Sequence, residues 1–320
     1  MYTDREIRRP WDPDEWLQQF LMPGESDFHA LRRQVFRYTV QAVKTGHYEL
    51  LTRTPAGETV VETLPLQLDP DLAARTVFYS EEQHPAVRNR YAGPDIEVLE
   101  ADCLATAKQY TEAGLGKVAV LNMASRRNPG GGVFNGAGAQ EEYCFRCSDY
   151  FRSLYQFVNF GKAYGVERRP ESYPLDRNFG GVYSPNVTVF RDTEETGYAF
   201  LRHPWKTNFI AVAGLNRPST VTVDGTLQIV PELVPALENK IRTILNIAVA
   251  QEVDVLILGA LGCGAFRNPP AHVASLFRSL LHDDVYARAF RKVLFPIKKD
   301  HNSRHMSPSL YDIFKNILEV

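Results

Sequence analysis

The chain has 320 residues, 44% of them hydrophobic and 23% charged, an ordinary balance for a globular protein able to bury a full core. Lys and Arg total 36 against 38 Asp and Glu, a formal charge of −2, which argues against a protein that coats DNA indiscriminately. No apolar run approaches bilayer thickness, four scattered cysteines make no disulfide framework, and the polar opening Met1-Tyr2-Thr3-Asp4-Arg5 lacks a secretory leader's basic start and apolar middle. The expectation is a cytoplasmic protein in a reducing compartment, with no membrane partner.

Residues 27–44 read as a helix, with Leu31, Val35, Phe36 and Val40 forming one apolar stripe. Alternating residues over 47–52 and 58–66, around Pro55, Ala56 and Gly57, predict a hairpin. Residues 1–92 are read as an accessory segment, a cap or flank packed on the rest, because no Gly/Ser-rich or Pro-rich linker divides them off. A strand–helix alternation then defines the region 93–320. It predicts a strand over 96–100, a helix over 102–113 and a buried strand over 117–121. A helix over 140–151 follows, then strands over 181–191 and 208–213. The clearest helix spans 231–251 and leads to an apolar strand over 253–258. A helix over 270–281, a strand over 292–296 and a terminal helix over 309–318 complete the chain. The alternation predicts a three-layer α/β/α sandwich around a mixed sheet, with ligands bound beyond the carboxyl ends of the strands.

Two glycine loops directly follow strands, so both are expected on the same rim. The first holds Asn128, Pro129, Gly130, Gly131 and Gly132, and after a spacer of seven residues comes Gln140-Glu141-Glu142. Consecutive glycines let several N–H groups converge on one anion, as around a diphosphate. Taken alone, the triplet is also compatible with a flexible surface turn, and the two glutamates with a solvated first helical turn. Their fixed short separation favours a site in which an anion cradle stands beside an acid. Adjacent helical residues point about 100° apart, so the two carboxylates take different tasks. The second loop, 259–266, carries Gly259, Gly262 and Gly264, which miss the spacing of a dinucleotide fingerprint. Phe266 at its end is open to two readings, a stacking partner for a base or ribose and a core aromatic. Cys144 and Cys147 have metal-ligand spacing but no second pair, and His301 and His305 lie in a polar stretch without an acid partner. No metal and no cofactor are expected.

The run from Val118 to Glu142 resembles the signature of the microbial poly(ADP-ribose) glycohydrolases, a branch of the macrodomain fold: a triple glycine, a short spacer, then Gln-Glu-Glu. Residues 120–125 resemble that family's strand-to-loop segment, and 259–269 its second phosphate loop. The resemblance spans about residues 95–298. It implies a macrodomain-like catalytic domain over 93–320 that hydrolyses the ribose–ribose O-glycosidic bond of poly(ADP-ribose), releasing ADP-ribose and reversing ADP-ribosylation. It implies Glu142 as catalytic acid and Glu141 as the group that positions the scissile ribose. Gly130, Gly131 and Gly132 would line the diphosphate and distal ribose, and Gln140 would also bind substrate. Gly262, Cys263, Gly264 and Ala265 would bind phosphate through backbone N–H groups, with Phe266 packed on the nucleotide. Asn122 would touch the ribose, and Asp102 the adenine amino group. Two other readings share the loops: removal of ADP-ribose from a protein side chain or nucleic acid, and a non-catalytic ADP-ribose reader. The intact Gln-Glu-Glu speaks against the reader. The partners implied are ADP-ribose, its polymer and ADP-ribosylated proteins or nucleic acid, acted on by a monomer.

Overall fold

A computed structural model describes residues 9–22, 27–298 and 307–319 of the chain. The stretch with His301 and His305, and the opening Met1 to Arg5, lie outside the described residues. The strands are β1 (His47–Arg53), β2 (Thr59–Pro65), β3 (Val77–Tyr79), β4 (Ile96–Leu99), β5 (Val118–Met123), β6 (Gly181–Arg191), β7 (Phe200–Val212), β8 (Thr220–Val223), β9 (Thr226–Ile229), β10 (Val255–Ile257) and β11 (Lys292–Pro296). The helices are α1 (Pro13–Leu21), α2 (Phe28–Thr45), α3 (Leu72–Arg75), α4 (Cys103–Glu112), α5 (Gln140–Cys147), α6 (Phe151–Leu154), α7 (Val234–Ala250), α8 (Pro270–Leu281) and α9 (Leu310–Leu318).

Seven strands form one mixed sheet in the order β3-β6-β7-β5-β10-β11-β4, flanked by helices as the alternation predicts. From β7 through β5, β10 and β11 to β4 the neighbours run parallel, whereas β3 is antiparallel to β6. Because β5 and β10 are parallel neighbours, both release the chain at the same edge of the sheet. Most of the expected helices and strands appear with boundaries shifted by a residue or two. The helix expected over 140–151 stops at Cys147, β7 begins at Phe200 rather than Asn208, and the helix expected from residue 231 opens as a 3-10 turn with α7 beginning at Val234; α1, α3, β3 and the hairpin of β8 and β9 lie where the sequence predicts no element.

The residues group into two compact units. The first comprises the chain up to Thr76, Arg127–Tyr173 and Ser184–Lys206; the second comprises Val77–Arg126, Pro174–Tyr183 and the chain from Thr207 onward. The core of the first unit is aromatic. Phe36 on α2 packs against Phe134, Phe145, Phe151 and Tyr164, with ring centroids 5.9–6.4 Å apart. Asp27 caps α2 by accepting from Ala30 N, and Gly46 closes it in the left-handed conformation that suits glycine. Trp11 and Trp16 are buried beside them, their indole N–H groups donating to Gly197 O and Leu31 O. Cys144 and Cys147 are fully buried on α5.

The second unit has an aliphatic core. Ala119 and Leu121 of β5 join Ile241, Ile244 and Leu245 of α7 and Val273, Phe277 and Leu281 of α8 in one cluster. Val118 and Val120 point the other way, as strand alternation requires, and are also buried. Covered on both faces, β5 reads as an unbroken apolar run. Among the described residues no helix is long and apolar enough to cross a membrane.

Candidate active site

In the first unit, Asn128 and Pro129 lead into the three glycines, then a 3-10 turn over Val133–Asn135, then α5 at the half-buried Gln140. Gly131 N donates to Asn128 O at 2.8 Å and Val133 N to Gly130 O at 3.0 Å. Asn135 N and Ala137 N both donate to Gly132 O, at 2.9 and 3.2 Å, and wind the segment tightly. This winding turns two glycine amides onto the acids of α5. Gly130 N–H donates to Glu141 Oε1 at 3.0 Å, and Gly132 N–H to Glu142 Oε1 at 2.6 Å. Both glutamates are buried in the first turn of α5, where the helix N-terminus favours negative charge. The sequence reading gives the glycine amides to the substrate. Here Gly130 and Gly132 use theirs to hold the glutamates, one amide to each carboxylate.

Gly131 is the closest point of this clasp. Its φ is +55°, and a Cβ there would lie 2.3 Å from Glu142 Oε1 and 3.1 Å from Glu141 Oε2. Backbone conformation and the two carboxylates both exclude a side chain. Glu142 Oε2 is buried and has no hydrogen-bond partner among the described residues. Glu142 thus presents one anchored oxygen and one uncommitted oxygen.

Two tyrosines respond to the charge of Glu141. Burial, then Tyr164 and Glu141, push the Tyr155 phenol well above its ordinary range; burial, then Glu141 and Tyr150, do the same for Tyr173. Both therefore stay protonated beside the acid. Neither is visible in the sequence as a site residue, because nothing local ties a tyrosine so far downstream to the Gln-Glu-Glu run.

In the second unit, the loop after β10 is wound by its own hydrogen bonds. Cys263 N donates to Ala260 O at 3.0 Å, so this amide, assigned by resemblance to phosphate, is used within the loop. Asn268 holds the loop's shape, its Nδ2 donating to Leu215 O at 2.7 Å and Gly262 O at 3.0 Å, while Asn268 Oδ1 has no partner among the described residues. Gly264 and Ala265 are exposed and Phe266 is half-buried, so Phe266 is not a core aromatic. Asn122 is fully buried on β5. Asp102 caps α4, its Oδ1 accepting from Leu104 N at 2.8 Å and Ala105 N at 3.0 Å. Among the described residues no group of three or more His, Cys, Asp or Glu is placed to hold a metal ion.

Residues 37–192 match the family model for the catalytic domain of microbial-type PARG. Among solved structures, the chain is similar to poly(ADP-ribose) glycohydrolase from Thermomonospora curvata bound to the inhibitor ADP-HPD. The identity is 30% and the TM-score 0.64, over 89% of this chain and 98% of that one. It is also similar to poly(ADP-ribose) glycohydrolase from Deinococcus radiodurans in complex with ADP-ribose, at 31% identity and a TM-score of 0.59, over 78% and 96% of the two chains. No curated protein matches. The family model takes in α2 from Arg37 onward. A chain that covers 98% of a solved poly(ADP-ribose) glycohydrolase at 30% identity belongs to that enzyme's family, the microbial-type poly(ADP-ribose) glycohydrolases.

Proposed function

We propose that the protein hydrolyses the ribose–ribose O-glycosidic bond of poly(ADP-ribose), with Glu142 as general acid and then general base. The observation that carries this reading is the clasp: adjacent carboxylates, each pinned by one glycine amide, with Glu142 Oε2 uncommitted. Protonated Glu142 gives its proton to the bridging oxygen as the C1″–O bond breaks and its electron pair leaves with that oxygen. The sugar becomes an oxocarbenium ion. Glu142, now a carboxylate, takes a proton from water as the water oxygen bonds to C1″, and the acid is restored. Adjacent residues do not flank a sugar from opposite faces, so the two-carboxylate arrangement of most glycosidases does not apply. Glu141, held by Gly130 N–H and neighboured by the neutral Tyr155 and Tyr173, positions the scissile ribose by accepting from its hydroxyls.

In the second unit, Gly262, Gly264, Ala265 and Phe266 are the proposed contacts for diphosphate and nucleoside, with Asn122 for ribose and Asp102 for adenine. The ligands of the solved relatives, ADP-ribose and ADP-HPD, support this choice of substrate class.

The test is Glu142→Gln assayed for ADP-ribose release from polymer, from mono-ADP-ribosylated protein and from ADP-ribosylated DNA. Release from polymer is expected to fall by about 10²–10⁴-fold, the usual worth of a general acid, with ADP-ribose affinity by calorimetry unchanged within a few-fold. Undiminished polymer hydrolysis by that variant would remove Glu142 from the mechanism. Wild-type activity confined to protein or DNA substrates would instead move the proposal to the scission of those linkages.

A further inference from the structure

The spacer between the glycine triplet and the acids is gripped from outside itself. Three consecutive residues, Gly136, Ala137 and Gly138, each meet a different side chain or backbone group of the first unit. His29 Nδ1 lies 3.2 Å from Gly136 O, and a Cβ on Gly136 would fall 2.0 Å from the His29 carbonyl oxygen. Arg146 Nη1 donates to Ala137 O at 2.7 Å. A Cβ on Gly138 would fall 2.6 Å from Arg32 Cζ, so the Arg32 guanidinium lies directly against the backbone there. Two of these three contacts come from α2.

The same guanidinium groups are joined to each other. Arg32 binds Glu194 through two bonds, Nε to Oε2 at 2.8 Å and Nη2 to Oε1 at 3.0 Å. Glu194 Oε2 also accepts from Tyr198 Oη at 2.9 Å. Tyr198 Oη in turn accepts from Arg146 Nε at 2.9 Å. Arg146 is fully buried one turn after Glu142 on α5, and its carbonyl accepts from Thr39 Oγ1 of α2 at 2.5 Å. Burial and the Glu194 charge keep the Tyr198 phenol protonated, against the pull of Arg146, so its single proton is available for Glu194. Parallel bonds between a guanidinium and a carboxylate fix direction as well as distance.

We propose that α2 and the relay Arg32–Glu194–Tyr198–Arg146 are the positioning device for the catalytic acid, which locks the spacer so that Gly132 N–H meets Glu142 Oε1. The inference rests on the acid role proposed for Glu142. Arg146 and Tyr198 touch no reacting atom and act through the spacer backbone. A buried chain of charged and polar groups of this kind specifies one arrangement when every link is made.

Tyr198→Phe tests it, because the ring remains and only the hydroxyl between Arg146 and Glu194 is lost. The expected result is a fall of about tenfold or more in kcat on poly(ADP-ribose), since small misplacements of catalytic groups are costly, with KM and ADP-ribose affinity unchanged within about twofold. Amide hydrogen exchange at Gly132 and Ala137 should accelerate while the melting temperature stays within a few degrees. Glu194→Gln, the second variant, should do the same; Glu62→Gln, which cuts the exposed Arg202–Glu62 pair elsewhere in the unit, should do neither. Wild-type kcat in the folded Tyr198→Phe protein, or unchanged exchange at Gly132 and Ala137 in both relay variants, overturns the proposal. If the wild type itself releases no ADP-ribose, the activity reading fails, and the exchange comparison still decides whether the relay holds the spacer.

Discussion

Gly131 lets the role of the clasp be read from a single methyl group. Alanine there meets a positive φ and places Cβ on Glu142 Oε1, so the carboxylate has to move. The left-handed conformation alone costs a non-glycine residue about 1–2 kcal/mol, too little to unfold a typical domain. Gly131→Ala is therefore expected to remain folded and lose at least tenfold in kcat, a modest share of the roughly 10²–10⁴-fold that a general acid supplies. Gly264→Ala is the contrast: no atom lies within 4 Å of a Cβ there, and the thermal midpoint should not move. A Gly131→Ala protein as active as wild type would show that the glycine–glutamate contacts do not set the acid. At this scale the sequence is informative where chemistry is local. The glycine triplet and the Gln-Glu-Glu run, separated by a seven-residue spacer, declare each other, whereas Tyr155, Tyr198, Arg32 and Arg146 look like ordinary aromatic and basic residues until the fold joins them. Arg146 was the nearest to legible, since it stands one helical turn beyond Glu142.

The elements themselves were largely legible because their periods are clean, and the departures have definite causes. The helix expected to run to residue 151 ends at Cys147 because Ser148 turns extended and bridges Val189 of β6. Asp149 completes the break, with Oδ1 accepting from Thr188 N at 2.7 Å and Oδ2 from Arg152 Nη1 at 2.9 Å. Thr188 lies 39 residues away from Asp149 in sequence, outside the window in which a helical period is read. The β8–β9 hairpin turns at Asp224-Gly225, a strong turn pair that the sequence did display. Asp149 also gives a pH dependence. Burial pushes its carboxyl up to about 6, and Arg152 and Thr188 only partly offset this. Since the unfolded value is about 4, the folded state binds more protons between the two, and stability falls as pH rises through that window. Denaturant midpoints from pH 4 to 7 should show this decline in the wild type and a flatter profile in Asp149→Asn. An equal slope in both proteins would assign the decline to other groups.

For the whole molecule, the chain passes back and forth between two units, so sequence position is a poor guide to membership. The strand–helix alternation identified the sheet because each period is short-range. The division into units depends on contacts between distant segments, such as Phe36 with Phe134, Phe145 and Phe151, for which no local pattern exists. Phe36 makes the segment before residue 77 integral to the first unit. Phe36→Ala should cost about 3–5 kcal/mol in chemical denaturation, the usual range for a buried aromatic and a large fraction of the ~5–15 kcal/mol that holds a domain together. A loss below about 1 kcal/mol would mark the segment as a dispensable flank. The four buried cysteines add a practical consequence. Cys144 and Cys147 lie in the first unit, Cys103 and Cys263 in the second, and burial holds the Cys263 thiol above its usual range. Only an exposed thiolate reacts, so an alkylating reagent marks each cysteine only after the structure around it has opened. The native chain thus carries four built-in reporters of unfolding, two in each unit, and peptide masses after timed labelling will give the order in which they become exposed.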